Sequence, residues 1–281
     1  MRRLAEREFR TLYDTVVGEV IRFLTPTMQR EIAAHNHGWS AGLTDFDLYL
    51  RASWVRYFKA YGYLVEQAPA RTVCDVGGFW GAWPVTLARA GYRVTMTESL
   101  KYYSRTFDEL FDFLRAQGVE ILDYDPFEDE GTRPGPFDFV TAMAVLEHYP
   151  HSLRRFMERV CAMTENRGRL YLEAPNIAFW RKRIELLLGR TPLTPLREIW
   201  LSDVPFIGHH HEFTLAELRE LCALAGLTVT DEACFNYSPG NLGGARLLFS
   251  HPLRSLAFRF LPDSREVIGV LCRKEPGPEP R

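Results

Sequence analysis

No window of this chain is apolar for the length that a membrane-spanning helix needs, so no transmembrane span is expected. The N-terminus, MRRLAEREFR, mixes acids with its bases and has no apolar core behind them, so it does not read as an export signal. Cysteine is scarce and scattered. Cys74, Cys161, Cys222, Cys234 and Cys272 form no CxxC pair and are odd in number, which argues against a zinc ribbon and against a disulfide framework. A reducing, cytoplasmic setting is the default expectation. An excess of one charge is lacking too: Lys and Arg number 34, Asp and Glu 36, for a formal net charge of −2. No global field therefore draws the chain to nucleic acid or to an anionic membrane. No internal repeat is present. What remains is 46% apolar and 25% charged over 281 residues, the composition of an ordinary globular protein. That length suits one large domain, or one domain with an accessory segment.

Phe9, Leu12, Tyr13, Val16, Val17, Val20 and Leu24 fall on one helical face, and Pro26 stops the pattern. A second helix is predicted over Asp45 to Tyr61, with Phe46, Leu50, Trp54, Tyr57 and Tyr61 as an aromatic-rich stripe. Such a stripe packs on a sheet, or serves as a lid over a ligand. From residue 71 the texture changes to β-rich runs: RTVCDV (71–76), YRVTMTE (92–98), VEILDYD (119–125), FDFVTAMA (137–144) and GRLYLEAP (168–175). Helical periods separate them at Trp83 to Ala90, Tyr102 to Gln117 and Ser152 to Met163. After residue 212, Thr214 and Glu217 form a capping box, and Gly226 is a natural helix stop. LTVTDEACF (227–235) and EVIGVLCRK (266–274) add two strands. The fold class is α/β: a Rossmann-like, seven-stranded, mostly parallel sheet with helices on both faces, plus an N-terminal helical cap.

The stretch VCDVGGFWGAW (73–83) is a strand followed by a glycine-rich turn and a helix start, with Pro84 in the first helical turn. Glycines there let backbone come close to a ligand, and ligands in open parallel sheets bind outside the C-terminal strand ends. The second strand ends in Glu98, 21 residues after Gly77, where an acid can accept hydrogen bonds from both hydroxyls of a ribose. The third ends in Asp123, Tyr124 and Asp125, placed to meet an adenine amino group. GxGxxG is absent. Phe79 stands where a pyrophosphate-binding turn keeps its middle glycine, and this argues against NAD.

In these residues the chain resembles the class I S-adenosylmethionine-dependent methyltransferases, most closely the small-molecule and glycan branch that includes ubiquinone-type O-methyltransferases. The first motif of that family reads DVGGFWG here. The fourth-strand motif reads FDFVTAMAVLEHYPH, the fifth-strand turn GRLYLEAPN, and the closing pattern HHEFTLAELRELCALAGL. The resemblance spans residues 71 to 274. The changes of texture along the chain divide it into an N-terminal cap or lid (1–66), a main domain (67–275) with insertions at 176–212 and 237–264, and by composition a disordered tail (276–281); the resemblance makes the main domain a methyltransferase domain. It implies S-adenosyl-L-methionine as cofactor and S-adenosyl-L-homocysteine as product.

By the same resemblance, Asp75 braces the turn or reaches the cofactor's amino group. Gly77, Gly78, Phe79 and Gly81 carry the loop against the aminoacyl tail. Glu98 holds the ribose, and Met143 and Ala144 lie beside the cofactor. Two departures bear on this. Phe79 replaces the middle glycine, so the loop must meet the methionine part through backbone alone or by a shifted path. Asp125 precedes Pro126, which has no N–H for adenine; with Asp123 as the contact, the Tyr124 N–H would serve.

Transfer to an alcohol requires removal of a proton, and His is the usual base. His148 is the first candidate, with Glu147 beside it; the alternative is that the pair orients the turn or caps the next helix. In the run GHHHEF (208–213), His209, His210 and His211 supply a base, bind the acceptor, or serve only as loop hydrogen-bonders. A divalent metal there is not favoured, because adjacent His side chains rarely converge on one ion. FWRKRIELLLGR (179–190) and HPLRSLAFRF (251–260) are basic and apolar. Peripheral membrane contact through them is less favoured than a role as amphipathic helices covering the sheet. The expected acceptor is a small molecule or glycan, not nucleic acid. The alternatives are an NAD-dependent oxidoreductase and a non-catalytic scaffold.

Overall fold

The computed structural model describes residues 3–35, 46–66, 70–127, 134–149, 152–201, 208–238, 261 and 263–275. The first helix, α1 (Glu6–Val20), buries Phe9, Tyr13, Val16, Val17 and Val20 on one face, and the Glu8 carboxylate accepts the Ala5 N–H at 2.9 Å. After a single 3₁₀ turn (Ile21–Phe23), Pro26 opens a new helix, α2 (Pro26–His35). Proline is tolerated at a first helical position because its missing N–H has no partner there.

The predicted second helix is two helices, α3 (Phe46–Ala52) and α4 (Trp54–Val65). They break at Ser53, whose Oγ and N–H both bond the Tyr49 carbonyl, at 2.9 and 3.0 Å. A hydroxyl that returns to the preceding turn in this way bends a helix. The aromatic stripe is mainly packing. Leu50 and Tyr61 are buried, and Tyr57 stacks on Trp83 with ring centroids 5.5 Å apart. Tyr49 and Tyr57 also face a cavity, described below.

The strands are β1 (Thr72–Val76), β2 (Arg93–Glu98), β3 (Val119–Asp123), β4 (Phe137–Met143), β5 (Thr164–Pro175), β6 (Leu227–Phe235) and β7 (Val267–Lys274), in the spatial order β3-β2-β1-β4-β5-β7-β6. β7 is antiparallel to both its neighbours and the other pairs are parallel. The helices between them are α5 (Ala82–Arg89), α6 (Asp108–Ala116), α7 (Leu153–Met163), α8 (Trp180–Leu187), α9 (Leu196–Leu201) and α10 (Leu215–Leu224). Period-2 alternation divides the apolar side chains. Val73, Phe139, Tyr171 and Leu271 join the N-terminal helices, α5 and α6 in one core. Cys74, Val140, Leu172 and Ile268 join α7 and α10 in the other. The chain leaves β1 toward β2 on one side and returns to β4 on the other, so the crevice between β1 and β4 is the topological switch point.

Further boundaries differ from expectation for local reasons. α6 starts at Asp108, not Tyr102, because Ser104 accepts the Thr106 N–H (3.1 Å) and donates to Glu31 (2.7 Å), holding this stretch in short turns. β5 begins at Thr164, four residues early, with Arg167 at φ 66° absorbing a register shift against β4. The capping box at Thr214 forms reciprocally, with contacts of 3.2 and 2.7 Å to Glu217, and Gly226 takes φ 70°. α8 and α9 bury no residue, and Leu187 and Trp200 are 86% and 84% exposed. Within FWRKRIELLLGR, Phe179 is buried, but the helix that follows it buries no apolar face, contrary to the covering-helix reading. HPLRSLAFRF and residues 276–281 lie outside the described residues. Among the described residues, no helix is long and apolar enough to cross a membrane.

Candidate active site

The turn after β1 needs its glycines. Gly77 sits at φ 66° with its N–H on the Thr97 carbonyl at 2.9 Å. A Cβ on Gly78 would lie 2.5 Å from Asp75 Oδ2 and 2.7 Å from Met96 Cγ. Gly81, at φ 71°, would put a Cβ 2.4 Å from Leu114 Cδ2. Gly81→Ala is therefore expected to lower stability by about 1–2 kcal/mol from backbone strain alone, and by more once Leu114 shifts; a urea-denaturation series measures this. Trp80 also has positive φ, 63°. The Phe79 ring packs on Trp80, Tyr103 and Phe107 at centroid distances of 4.2, 5.0 and 5.9 Å. The backbone of Gly77 and Gly78 is left facing the cavity.

Three carboxyl groups are buried around this turn. Asp75 Oδ1 accepts the Thr141 hydroxyl at 2.6 Å; burial pushes its pKa up to about 7, opposed by Thr141 and Arg56. Glu98 Oε2 accepts the Tyr103 hydroxyl at 2.9 Å, while Oε1 is buried with no partner. Burial raises Glu98 to about 8, tempered by Tyr103. Glu147, fully buried, has no partner on either oxygen; burial raises it to about 7, with His209 opposing.

Asp75 and Glu98 have unperturbed values of 3.8 and 4.5. The folded chain thus holds protons that the unfolded chain has already released, and these groups destabilise the fold progressively as pH rises from about 4 to about 8. The melting temperature of the ligand-free protein is expected to fall between pH 5.5 and 8, and Glu98→Gln to flatten that fall.

A cavity of about 490 Å³ opens at the switch point. Of the residues singled out in the sequence, Asp75, Gly77, Gly78, Phe79, Met143, Ala144, Glu147 and His148 line it. Gly81, Glu98, Asp123, Tyr124, Asp125, His210 and His211 are not part of its lining. Asp123 accepts the Leu100 N–H and Asp125 the Phe127 N–H, each at 2.9 Å. The Tyr124 N–H, the donor considered for adenine in the case where Asp123 is the contact, bonds the Glu98 carbonyl at 3.0 Å.

Ala144 leaves β4 at φ 58°, its N–H on the Glu173 carbonyl at 2.9 Å. This left-handed step, costly for a residue with a Cβ, leads into the single turn Leu146–His148. The His210 and His211 N–H groups then bond the Glu147 carbonyl at 2.7 and 3.4 Å. That tie brings His209 into the cavity wall, its ring edge-on to His148 with centroids 4.8 Å apart. His210 and His211 are exposed; His211 pairs with Glu217 at 3.4 Å and packs on Phe213. His209 Nδ1 lies 3.0 Å from Glu212 Oε1, and Glu212 is also ion-paired to Lys182. Although burial works to raise Glu212, His209 and Lys182 hold it below the usual carboxylate range.

The sequence reading passed over Arg56 and Glu173, which also line the cavity. Their Nε–Oε1 distance is 2.5 Å, with side chains 4% and 1% exposed. Arg56 Nη1 donates to the Tyr49 hydroxyl at 3.2 Å, and Tyr171 donates to Glu173 Oε2 at 3.1 Å. The Arg56 guanidinium also lies 5.2 Å from the centre of the Tyr237 ring. The available signals were an arginine within the aromatic stripe and an acid inside an apolar strand.

A family model described as a methyltransferase domain matches residues 46–232, about two thirds of the 281 residues. No curated protein matches the sequence. Among solved structures, magnesium protoporphyrin IX methyltransferase from Synechocystis PCC 6803, with bound SAH, is similar at 14% identity and TM-score 0.52, covering 83% of this chain and 88% of its own. The 1,6-didemethyltoxoflavin-N1-methyltransferase of Burkholderia thailandensis is similar at 16% identity and TM-score 0.52, over 98% of this chain and 93% of that one. A SAM-dependent methyltransferase from Archaeoglobus fulgidus is similar at 11% identity and TM-score 0.53, over 78% and 93%. At these identities the likeness is one of fold.

Proposed function

Because the chain belongs to the methyltransferase-domain family, the class I S-adenosylmethionine-dependent enzymes, we propose that it transfers a methyl group to a hydroxyl of a small molecule or glycan. The observation that carries this is the cavity at the switch point, with glycine backbone on one wall and Glu147, His148 and His209 on another. Two features suit the cofactor: the side-chain-free backbone of Gly77 and Gly78 on the cavity wall, and a buried Glu98 oxygen with no partner.

In this reading Gly77 and Gly78 hold the aminoacyl portion through backbone, and Asp75 braces the turn through Thr141. Glu98, shared with Tyr103, holds the ribose. Asp123 and Asp125 flank the adenine side, and Met143 and Ala144 border the sulfur. When bound, the cofactor supplies the electrophilic methyl. The protein's part is to exclude water and align the acceptor oxygen for in-line displacement. As the O–C bond forms and the C–S bond breaks, the hydroxyl proton must leave. His148, with His209 beside it, takes that proton as general base; His210 and His211 are exposed and outside the cavity lining.

Calorimetric titration with S-adenosylhomocysteine, with NAD in parallel, tests the cofactor. S-adenosylhomocysteine alone is expected to bind, and Glu98→Ala to weaken it at least tenfold, about 1.4 kcal/mol. Folded protein that does not bind it overturns the reading. A labelled-methyl screen of sugars, phenols and amines then tests the acceptor. Transfer to amines alone overturns the hydroxyl assignment, and binding without any transfer favours a scaffold.

A further inference from the structure

Glu147, His148 and His209 come from two segments about 60 residues apart, yet the structure brings one potential ligand atom of each within 4.8 Å of the others. Each of the three also lines the cavity. Bonds of about 2.0–2.2 Å to a divalent ion keep its ligands no more than about 4.4 Å apart, so only a small inward shift separates this set from one that encloses an ion. Both Glu147 oxygens are buried and unpartnered. A carboxylate in that state must take up a proton or meet a cation.

His209 adds a second, independent sign. Glu212 lies 3.0 Å from its Nδ1 and is itself held by Lys182. A carboxylate accepting from Nδ1–H fixes the tautomer with Nε2 as the lone-pair nitrogen, the arrangement that orients metal-binding histidines. The metal reading that the sequence disfavoured concerned three adjacent histidines. This set takes only His209 from that run and draws the other two ligands from the turn after β4.

We propose that Glu147, His148 and His209 form a binding site for one divalent first-row transition ion, with open coordination positions facing the acceptor. Two imidazoles and one carboxylate suit such ions better than Mg²⁺ or Ca²⁺, and three protein ligands with an open position are the pattern of catalytic sites. The ion's role rests on the methyltransferase reading: it would bind the acceptor oxygen and lower the pKa of that hydroxyl, whose proton then leaves to water, with His148 and His209 serving as ligands in place of base. Its binding does not rest on that reading.

The test uses the full chain, purified without a histidine tag and stripped with chelator. Zn²⁺ and Mn²⁺ are titrated separately against a competing chromophoric chelator. One equivalent of Zn²⁺ is expected to bind. Glu147→Gln and His209→Ala should each weaken it at least tenfold, Glu212→Gln by about 10–100-fold, and His211→Ala should leave it unchanged. Glu147→Gln keeps the shape of the side chain, so it remains informative if a histidine variant fails to fold. Failure of folded protein to bind either ion overturns the proposal, as does binding that survives Glu147→Gln or is lost in His211→Ala. S-adenosylhomocysteine titration of the same stripped sample separates the two readings. Zn²⁺ binding without it removes the methyltransferase role but keeps the site; the converse removes the site alone.

Discussion

Arg56→Met is expected to destabilise the protein by about 3–5 kcal/mol, the range for breaking a buried ion pair by removing one partner. The reason is asymmetric. Arg56 and Glu173 are almost wholly withdrawn from water, and their attraction, with the bond Arg56 donates to Tyr49 and the bond Glu173 accepts from Tyr171, offsets a large desolvation cost. Removing the guanidinium returns none of the desolvation cost of Glu173, and a single tyrosine hydroxyl remains to meet its charge. Glu173→Gln should fall in the same direction by less, since an amide is cheaper to bury than an unpaired charge. The double variant Arg56→Met with Glu173→Leu should recover most of the loss, because an apolar pair of similar volume has no charge to desolvate. Urea denaturation of the three variants measures this. A single Arg56→Met within 1 kcal/mol of the parent would show that the pair is not closed in solution. Because this pair ties α4 to β5 at the cavity wall, the single variants should also weaken acceptor binding.

His148→Ala is expected to lower kcat by about 10²–10⁴-fold while leaving S-adenosylhomocysteine affinity nearly unchanged. The split follows from the two walls of the cavity. In the proposed reading the cofactor contacts fall to the glycine turn and to Glu98 behind it, whereas His148 stands with Glu147 and His209 on the other wall. His211→Ala, which removes an exposed ring paired with Glu217, should leave kcat close to that of the parent. Single-turnover methyl transfer with a responsive acceptor distinguishes these outcomes. Equal losses in the two variants would mean that the loop carrying residues 209–211 closes differently when substrates bind.

Much of this site was legible in one dimension. The turn at Gly77, Gly78 and Gly81 follows from what glycine permits: positive φ at Gly77 and Gly81, and close approach at Gly78 and Gly81. Glu98 was singled out by its spacing after that turn, and the structure buries it against Tyr103, outside the cavity lining. His148 was found because the strand carrying it ends where ligands bind in such sheets. His209 was not separated from His210 and His211, since three consecutive residues share one local pattern. Arg56 and Glu173 were passed over because their partnership spans 117 positions, and no helical or strand period extends so far.

The sequence by itself determined the order of strands and helices, the capping box at Thr214 and the glycine turn. These are set by side-chain alternation and by the allowed dihedrals of single residues, interactions that act within a few positions. The tertiary structure alone decided which histidine enters the cavity, that the Tyr124 N–H is spent on the Glu98 carbonyl, and that Glu147 is buried without a partner beside His148 and His209. Those outcomes depend on which loops the sheet order brings together, and on how deeply each polar atom is then taken from water.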